Sequence, residues 1–440
     1  MYKVFIIIVS DKIYNQSQNM HIFNYLRFKL SKIRLLTYHY SESDLYIQQV
    51  AMYSTASSFD VQKENRVLSC NTFRKTMATE FFPYNNLSAT QKWPTAFNWS
   101  NFDIHVDPHE DHESKFKFNK SSCIGSAGSC FAQRITQSLQ SHNFNYLLAE
   151  QPPTFLPHSL ATEYNYGVYS ARYGNVYSAR QLLQLFDRAF GEFTPTLGAW
   201  KTKNNTFIDP FRPRIQPDGF ESEEEVVIDR EVHLRKTKDV FTNSDIFIFT
   251  LGLTECWLDS RDGAVLPTCP GRGYGNFDES IYKFHNMSFN ETYEDLKNAL
   301  LKIRSLNPTI KIILTISPIP LVATMTSNHI VTANTYSKSI LRAVVGQIVQ
   351  ELDYVDYFGS YEILTNCYRN HLYWEGDMRT LNNTALDVVF NSFYKYFGNP
   401  HCQVSGYICN EENSDSNTKS LETITIDCDE DEILKHLSRR

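Results

Sequence analysis

Residues 246–251 read Ile-Phe-Ile-Phe-Thr-Leu and are closed at once by Gly252. A near-continuous apolar run ended by glycine describes a strand buried on both faces, not one with a wet side. Working outward, Lys311–Ile316 (Lys-Ile-Ile-Leu-Thr-Ile) repeats the pattern and ends at Ser317-Pro318. Cys123–Ala127 gives a shorter strand that meets Gly128-Ser129. Helical periods lie between them. Phe131, Ala132, Ile135 and Leu139 share a face after the first strand, and Ile340, Leu341, Val344, Ile348 and Leu352 share one after the third. A last helix carries Leu386, Val389, Phe390, Phe393 and Phe397 and stops at Gly398, with Pro400 beyond. Buried strands alternating with amphipathic helices predict an α/β protein whose central parallel sheet is covered on both faces. In such sheets ligands sit beyond the carboxyl ends of the strands, so the residues just after each strand carry the chemistry.

Composition narrows the function. The chain has 440 residues, room for one α/β domain with insertions and tails. Hydrophobic residues at 42% and charged residues at 21% exclude a globally disordered chain. A net charge of −7 argues against a nucleic-acid partner. No run approaches the roughly 18 apolar residues that span a bilayer. The opening run Val4–Val9 lacks both a basic stretch before it and a small-residue cleavage site after it, so no signal peptide is predicted. The nine cysteines contain no CxxC pair and form no disulfide or zinc framework. A reducing, cytoplasmic location is the expectation. With no P-loop, GxGxxG or His/Cys cluster, no cofactor or metal is predicted.

Residues 1–76 read as an appended extension, with the natural start expected near Met77. From residue 411 onward nine acidic residues face four basic ones, so 401–440 is an acidic tail. The domain itself is expected over 80–398.

The first strand end reads Gly125-Ser126-Ala127-Gly128-Ser129-Cys130-Phe131-Ala132. Gly128 permits a tight turn. Ser129 and Cys130 then stand at a helix N-terminus, where free N–H groups and the dipole stabilise an alkoxide, thiolate or oxyanion. Ala127 and Phe131 flank Ser129, so this is not the G-x-S-x-G elbow. The plainer reading of Ser129 is a helix cap. Arg212 and Arg214, in Asp209-Pro210-Phe211-Arg212-Pro213-Arg214, suit a carboxylate or phosphate. Ser337, Lys338 and Arg342 fall on one helix end and suit a polar ligand or pairing with nearby acids.

The block Gly128-Ser129-Cys130-Phe131-Ala132 resembles the signature of the GSCFA family. Four further blocks resemble that family in order: Tyr173-Gly174-Asn175-Val176-Tyr177 with Arg180-Gln181-Leu182-Leu183; Thr250-Leu251-Gly252-Leu253-Thr254-Glu255-Cys256-Trp257; Ser317 through Thr324; and Ala333 through Arg342. The resemblance covers roughly residues 80–398. It implies an SGNH (GDSL-like) hydrolase with a flavodoxin-like three-layer α/β/α fold and Ser129 as nucleophile. It also implies oxyanion donors from the Ser129 N–H, from Gly174 or Asn175, and from Thr254, which stands where the family's oxyanion Asn is expected in the block opened by Gly252; the plainer reading of Gly252-Leu253-Thr254 is a strand-to-helix turn. Glu255 reads either as a helix cap or as an acid–base partner of Asp377. The family carries Asp-x-x-His before its final helix; here Asp377 matches and Thr380 stands where the histidine is expected. His371 is the first candidate to replace that base, ahead of His233, His285 and His329. Cys130 is a second candidate nucleophile. The expected activity is that of a serine esterase or acyltransferase acting on a small-molecule or carbohydrate ester. The alternative is a non-catalytic glycan- or ligand-binding protein that has lost its base.

Overall fold

The structure is a computed structural model and describes residues 87, 88, 90–92, 107–271, 274–365 and 372–399. The predicted extension 1–76, the tail 401–440 and His371 lie outside the described residues.

The elements follow in the order β1 (Ile124–Gly128), α1 (Cys130–Ser141), α2 (His158–Glu163), α3 (Ala179–Phe190), β2 (Trp200–Lys201), β3 (Phe207–Ile208), α4 (Glu223–Asn243) and β4 (Ile246–Leu251). There follow β5 (Glu255–Asp259), β6 (Val265–Leu266), β7 (Tyr282–Asn286), α5 (Phe289–Leu306), β8 (Lys311–Ile316), α6 (Ile330–Glu351), β9 (Val355–Phe358), α7 (Ser360–Thr365) and α8 (Asn383–Phe397). Strands β1, β4, β8 and β9 form a parallel sheet in that order, with Ile124 opposite Ile246, Ile246 opposite Lys311, and Ile312 opposite Val355. On the far side of β1 a single parallel rung joins Ile124 to Tyr146. There the Ile124 N–H donates to Asn145 O and the Leu147 N–H to Ile124 O.

Alternation along the strands builds two cores. Phe247, Phe249, Leu251, Ile312, Leu314 and Ile316 face one way, against α3, α4, α5 and α6. Ile246, Ile248, Ile313 and Phe358 face the other, against Phe131, Ile135 and Leu139 of α1 and Leu386, Phe390, Phe393 and Phe397 of α8. Helices therefore cover both faces, which is why the strands read as continuous apolar runs. Each fully buried aliphatic or aromatic side chain of this kind contributes about 1.5–3 kcal/mol.

Two details differ from the sequence reading. The first strand lies one residue later, at Ile124–Gly128, because the Cys123 carbonyl turns to accept the Asp245 and Ile246 N–H groups. Gly398 does end α8, but in extended backbone (φ −72°, ψ 145°) and not as a left-handed cap. Pairing explains it: the Phe118 N–H donates to Phe397 O and the Asn399 N–H to Phe118 O, drawing the chain out straight. An antiparallel sheet, β6-β5-β7, is added between β4 and α5. Among the described residues no helix is long and apolar enough to cross a membrane.

Candidate functional site

Three strand ends meet at one crevice. It is lined by Ser129 and Cys130 after β1, Gly252 and Leu253 after β4, and Ser317, Ile319, Pro320 and Leu321 after β8, together with Tyr177. Gly128 makes the approach possible. Its φ of +147° lies where L side chains are strained, and a Cβ there would sit 2.6 Å from Thr250 O. Gly252 is constrained by space: a Cβ would lie 3.0 Å from both Ser129 Cβ and Tyr177 Cδ1. Both glycines let β1 and β4 deliver their ends side by side.

Ser129 holds the N-cap position of α1, yet its side chain makes no capping bond. It is 2% exposed, and its Oγ has no hydrogen-bond partner. A buried orphan hydroxyl costs about 1–3 kcal/mol, so Ser129 is not there as a cap. Its surroundings hold it firmly. The Ser129 N–H donates to Thr250 O, Ala132 N–H donates to Ser129 O, and Val176 N–H donates to Gly128 O.

The predicted oxyanion donors are corrected by the same bonds. The Ser129 N–H is occupied by Thr250 O, and the Gly252 N–H by Tyr177 O at 2.7 Å. The Thr254 hydroxyl is fully buried and donates to Asn286 Oδ1 at 2.7 Å, while its N–H donates to Ser337 Oγ. Glu255 neither caps a helix nor meets Asp377. It lies on β5 and accepts from the Thr324 hydroxyl and the Met325 N–H, fixing the loop after β8. The Asn175 side chain faces Tyr169 and Gln133, and its Oδ1 accepts from both. Gly174 (φ +66°) and Asn175 border a separate gap with Phe211 and Arg212, reached across the segment that Val176 ties to β1.

Asp377 and Thr380 form a turn of their own. Asp377 accepts the Arg379 and Thr380 N–H groups and, at 2.6 Å, the Thr380 hydroxyl. Burial would raise the Asp377 carboxyl, but the Thr380 hydroxyl and these N–H groups hold it below its usual value. Both residues are exposed, and neither lines the Ser129 crevice. The neighbouring Trp374 and Leu381 do pack in the same apolar cluster as Ile319 at the crevice lip. Three predicted alternative bases are engaged elsewhere: His233 with Glu150, His285 with Glu291, and His329 as the N-cap of α6. Among the described residues no imidazole lines the crevice.

Arg212 is likewise not an open ligand arm. It is 2% exposed and pairs with Asp209 at 2.8 Å and Asp229 at 2.7 Å. Arg230 also pairs with Asp209, and Arg172 with Asp229 and Glu150. Burial works against the charge on Asp209, yet Arg230 and Arg212 hold its carboxyl well below the usual range. Burial pushes His233 down to about 4, with Arg212 the next cause, so the imidazole is neutral and its Nδ1–H donates to Glu150 at 2.9 Å. This network knits the segments around Glu150, Arg172 and Asp209 to α4.

Of the helix end read as suiting a polar ligand or pairing with nearby acids, Ser337 and Lys338 are buried supports of the site. Lys338 Nζ donates to Gly252 O at 2.7 Å and Ser317 O at 2.8 Å, joining the ends of β4 and β8. Arg342 pairs with Glu362. Sequence reasoning missed Tyr177 as a wall of the crevice; its only signal was its place in the block before Ser178. Among the described residues no group of three or more His, Cys, Asp or Glu side chains could hold a metal ion.

The fold and site define a doubly covered parallel α/β domain with a buried serine hydroxyl at a strand–helix junction. The sequence model of the GSCFA family matches residues 123–393, more than half of the chain, and the protein belongs to that family. No curated protein and no solved structure matches the chain.

Proposed function

We propose that the protein is a serine esterase or acyltransferase of SGNH type, with Ser129 as nucleophile and an acylated small molecule or carbohydrate as substrate. The observation that carries this reading is the Ser129 hydroxyl: buried, unpartnered and held at the N-terminus of α1 beyond the end of β1. The sheet supports it. Counting the Tyr146 rung as an edge, the order becomes the 2-1-3-4-5 of flavodoxin-like sheets, which bind ligands at the point where β1 is flanked on both sides. In turnover the Ser129 Oγ attacks the ester carbonyl, a base takes its proton and returns it to the departing alcohol, and water, or an acceptor alcohol for acyl transfer, then attacks the acyl–Ser129 ester to release the acyl group and restore the hydroxyl. The test is hydrolysis of p-nitrophenyl acetate and of acetylated sugars. Ser129→Ala abolishes it and Cys130→Ala retains most of it; the reverse pattern moves the nucleophile to Cys130.

A second reading is favoured by one specific observation. Thr380, which stands in sequence where the family resemblance expects the base, gives its hydroxyl to Asp377 at the surface, and no described imidazole lines the crevice. On this reading the crevice binds an ester or glycan without cleaving it. Saturable binding of an acetylated sugar with no hydrolysis in wild type or in Thr380→His decides for it.

A further inference from the structure

One partly buried charge in the domain has no counter-charge. The guanidinium groups of Arg172, Arg212 and Arg230 are matched by the carboxylates of Glu150, Asp209 and Asp229, three against three, with His233 neutral. Arg188, on the last turn of α3, stands beside this network as a fourth guanidinium. Its Nε donates to Gln184 O of its own helix at 3.3 Å. Its guanidinium carbon lies 4.2 Å from the centre of the Phe211 ring, which Arg230 shares at 5.1 Å. Among the described residues it makes no ion pair, and its two terminal amino groups have no acceptor. The neighbouring Asp187 is taken by Lys302. Burial pushes Arg188 down to about 9, with Asp209 opposing the fall and Arg230 and Arg212 adding to it. A guanidinium ordinarily keeps its proton at any pH a protein meets, so such a fall marks charge that the surroundings leave uncompensated.

The head of Arg188 stands at a gap. Arg188 and Phe211 both line it, with Gln184 and Leu185 of α3, Asn175, and Val265 of β6, and no Asp or Glu is among its described lining residues. The void is about 10 Å³, room for one water-sized group. A water there would leave the surplus charge in place, whereas an anion removes it. A phosphate, with oxygens on every side, is too large for the void, and its second charge would overshoot a surplus of one. A monatomic anion, only slightly wider than water, meets both limits. We propose that the gap between α3 and the Phe211 loop binds one halide-sized monovalent anion, with the terminal amino groups of Arg188 as its donors. The site shares no lining residue with the Ser129 crevice and does not depend on what Ser129 does. Bound there, the anion joins α3 to the loop after β3 and to the segment whose Val176 N–H holds Gly128 O.

The experiment titrates sodium chloride into the full chain at constant ionic strength, with sodium gluconate as the balance, and reads the chloride NMR linewidth and the melting temperature. Wild type is expected to broaden the chloride line, and its melting temperature to rise with chloride and then saturate. Bromide should compete for the same site and inorganic phosphate should not. Arg188→Gln should lose both chloride effects and, in gluconate alone, melt no lower than wild type, because it removes a charge that has no partner. Arg188→Lys keeps the charge with fewer donors and should weaken chloride about tenfold. Gln184→Glu keeps an acceptor for the Val265 N–H and supplies a carboxylate at the gap, so chloride should no longer bind although Arg188 is intact. These last two variants test the site even where Arg188→Gln does not fold. Equal line broadening by wild type and Arg188→Gln, a melting temperature indifferent to chloride, or a chloride effect that survives Gln184→Glu overturns the proposal. So does phosphate that binds as tightly as chloride.

Discussion

His233 couples stability to pH in the range where histidines titrate, through a depressed folded-state value. It lies on α4, 1% exposed, with Glu150 on Nδ1, Thr237 near Nε2, and the ring of Tyr173 edge-on at 5.9 Å. Arg212 and Asp209 face it from the loop after β3. Burial first and Arg212 second bring it from 6.5 to about 4, against the opposite pull of Glu150 and Asp209. Because the folded value is depressed, the unfolded chain binds the proton first as pH falls. Stability from this residue is therefore complete above the unfolded value and is lost as pH falls from about 6.5 towards about 4. A shift of about 2.5 units sets a ceiling of about 3 kcal/mol, of which about 2 kcal/mol disappears between about pH 7.5 and 5. His233→Gln keeps a donor for Glu150 and removes the titration. Urea unfolding from pH 7.5 to 5 should show wild type losing about 2 kcal/mol more than the variant. Equal pH slopes for the two proteins would refute a neutral, buried His233.

Gly128→Ala, with a Cβ 2.6 Å from Thr250 O and φ at +147°, should destabilise by about 3 kcal/mol or more and lower the melting temperature accordingly. Arg212→Leu leaves Asp209 to Arg230 alone and Asp229 to Arg172 alone and should cost about 3–5 kcal/mol in urea unfolding; a loss under about 1 kcal/mol would mean that Arg230 and Arg172 suffice. Thr380→His should raise p-nitrophenyl acetate hydrolysis, because Trp374 and Leu381 on either side of the turn belong to the same apolar cluster as Ile319 and Asp377 is at hand to orient an imidazole. General-base assistance is worth typically about 10²–10⁴-fold, and a poorly placed ring recovers part of it. An unchanged rate would show that the turn stays at the surface.

The strands β4 and β8 were legible to the residue because they are buried on both faces and carry little but apolar side chains. β9 was not: Val355–Phe358 is four residues long and includes Asp356, whose carboxylate accepts the Lys115 N–H at the sheet edge. α4 was missed because it buries only Val226, His233, Thr237, Val240 and Phe241 along 21 residues, too thin a stripe among its Glu, Lys and Arg. In the candidate site, strand-end logic located Ser129, Gly252 and Ser317. It could not show which donors were already occupied, since the Gly252–Tyr177 and Thr254–Asn286 bonds depend on how loops fold back. Arg212 misled for a related reason. Its partner Asp209 stands three residues away in plain view, but Asp229 arrives from a helix that the pattern had not revealed.

The short bridge between Phe118 and Gly398 makes the domain a ring. The residue just ahead of the first strand and the residue just after the last helix are hydrogen-bonded neighbours, so the covalent path can be closed there and cut elsewhere without moving the sheet. A handful of glycines from 399 to 118, with new ends at the exposed Asn204–Asn205 turn, gives a rearranged chain whose four parallel strands keep their neighbours and whose Ser129 keeps its walls. Residues 107–117 would be given up in that chain, and with them the His109 and Lys115 bonds to Gly359 and Asp356 beside β9. The same closure means that a force drawing Phe118 and Gly398 apart along the bridge loads both hydrogen bonds together, in shear, because the two segments run parallel.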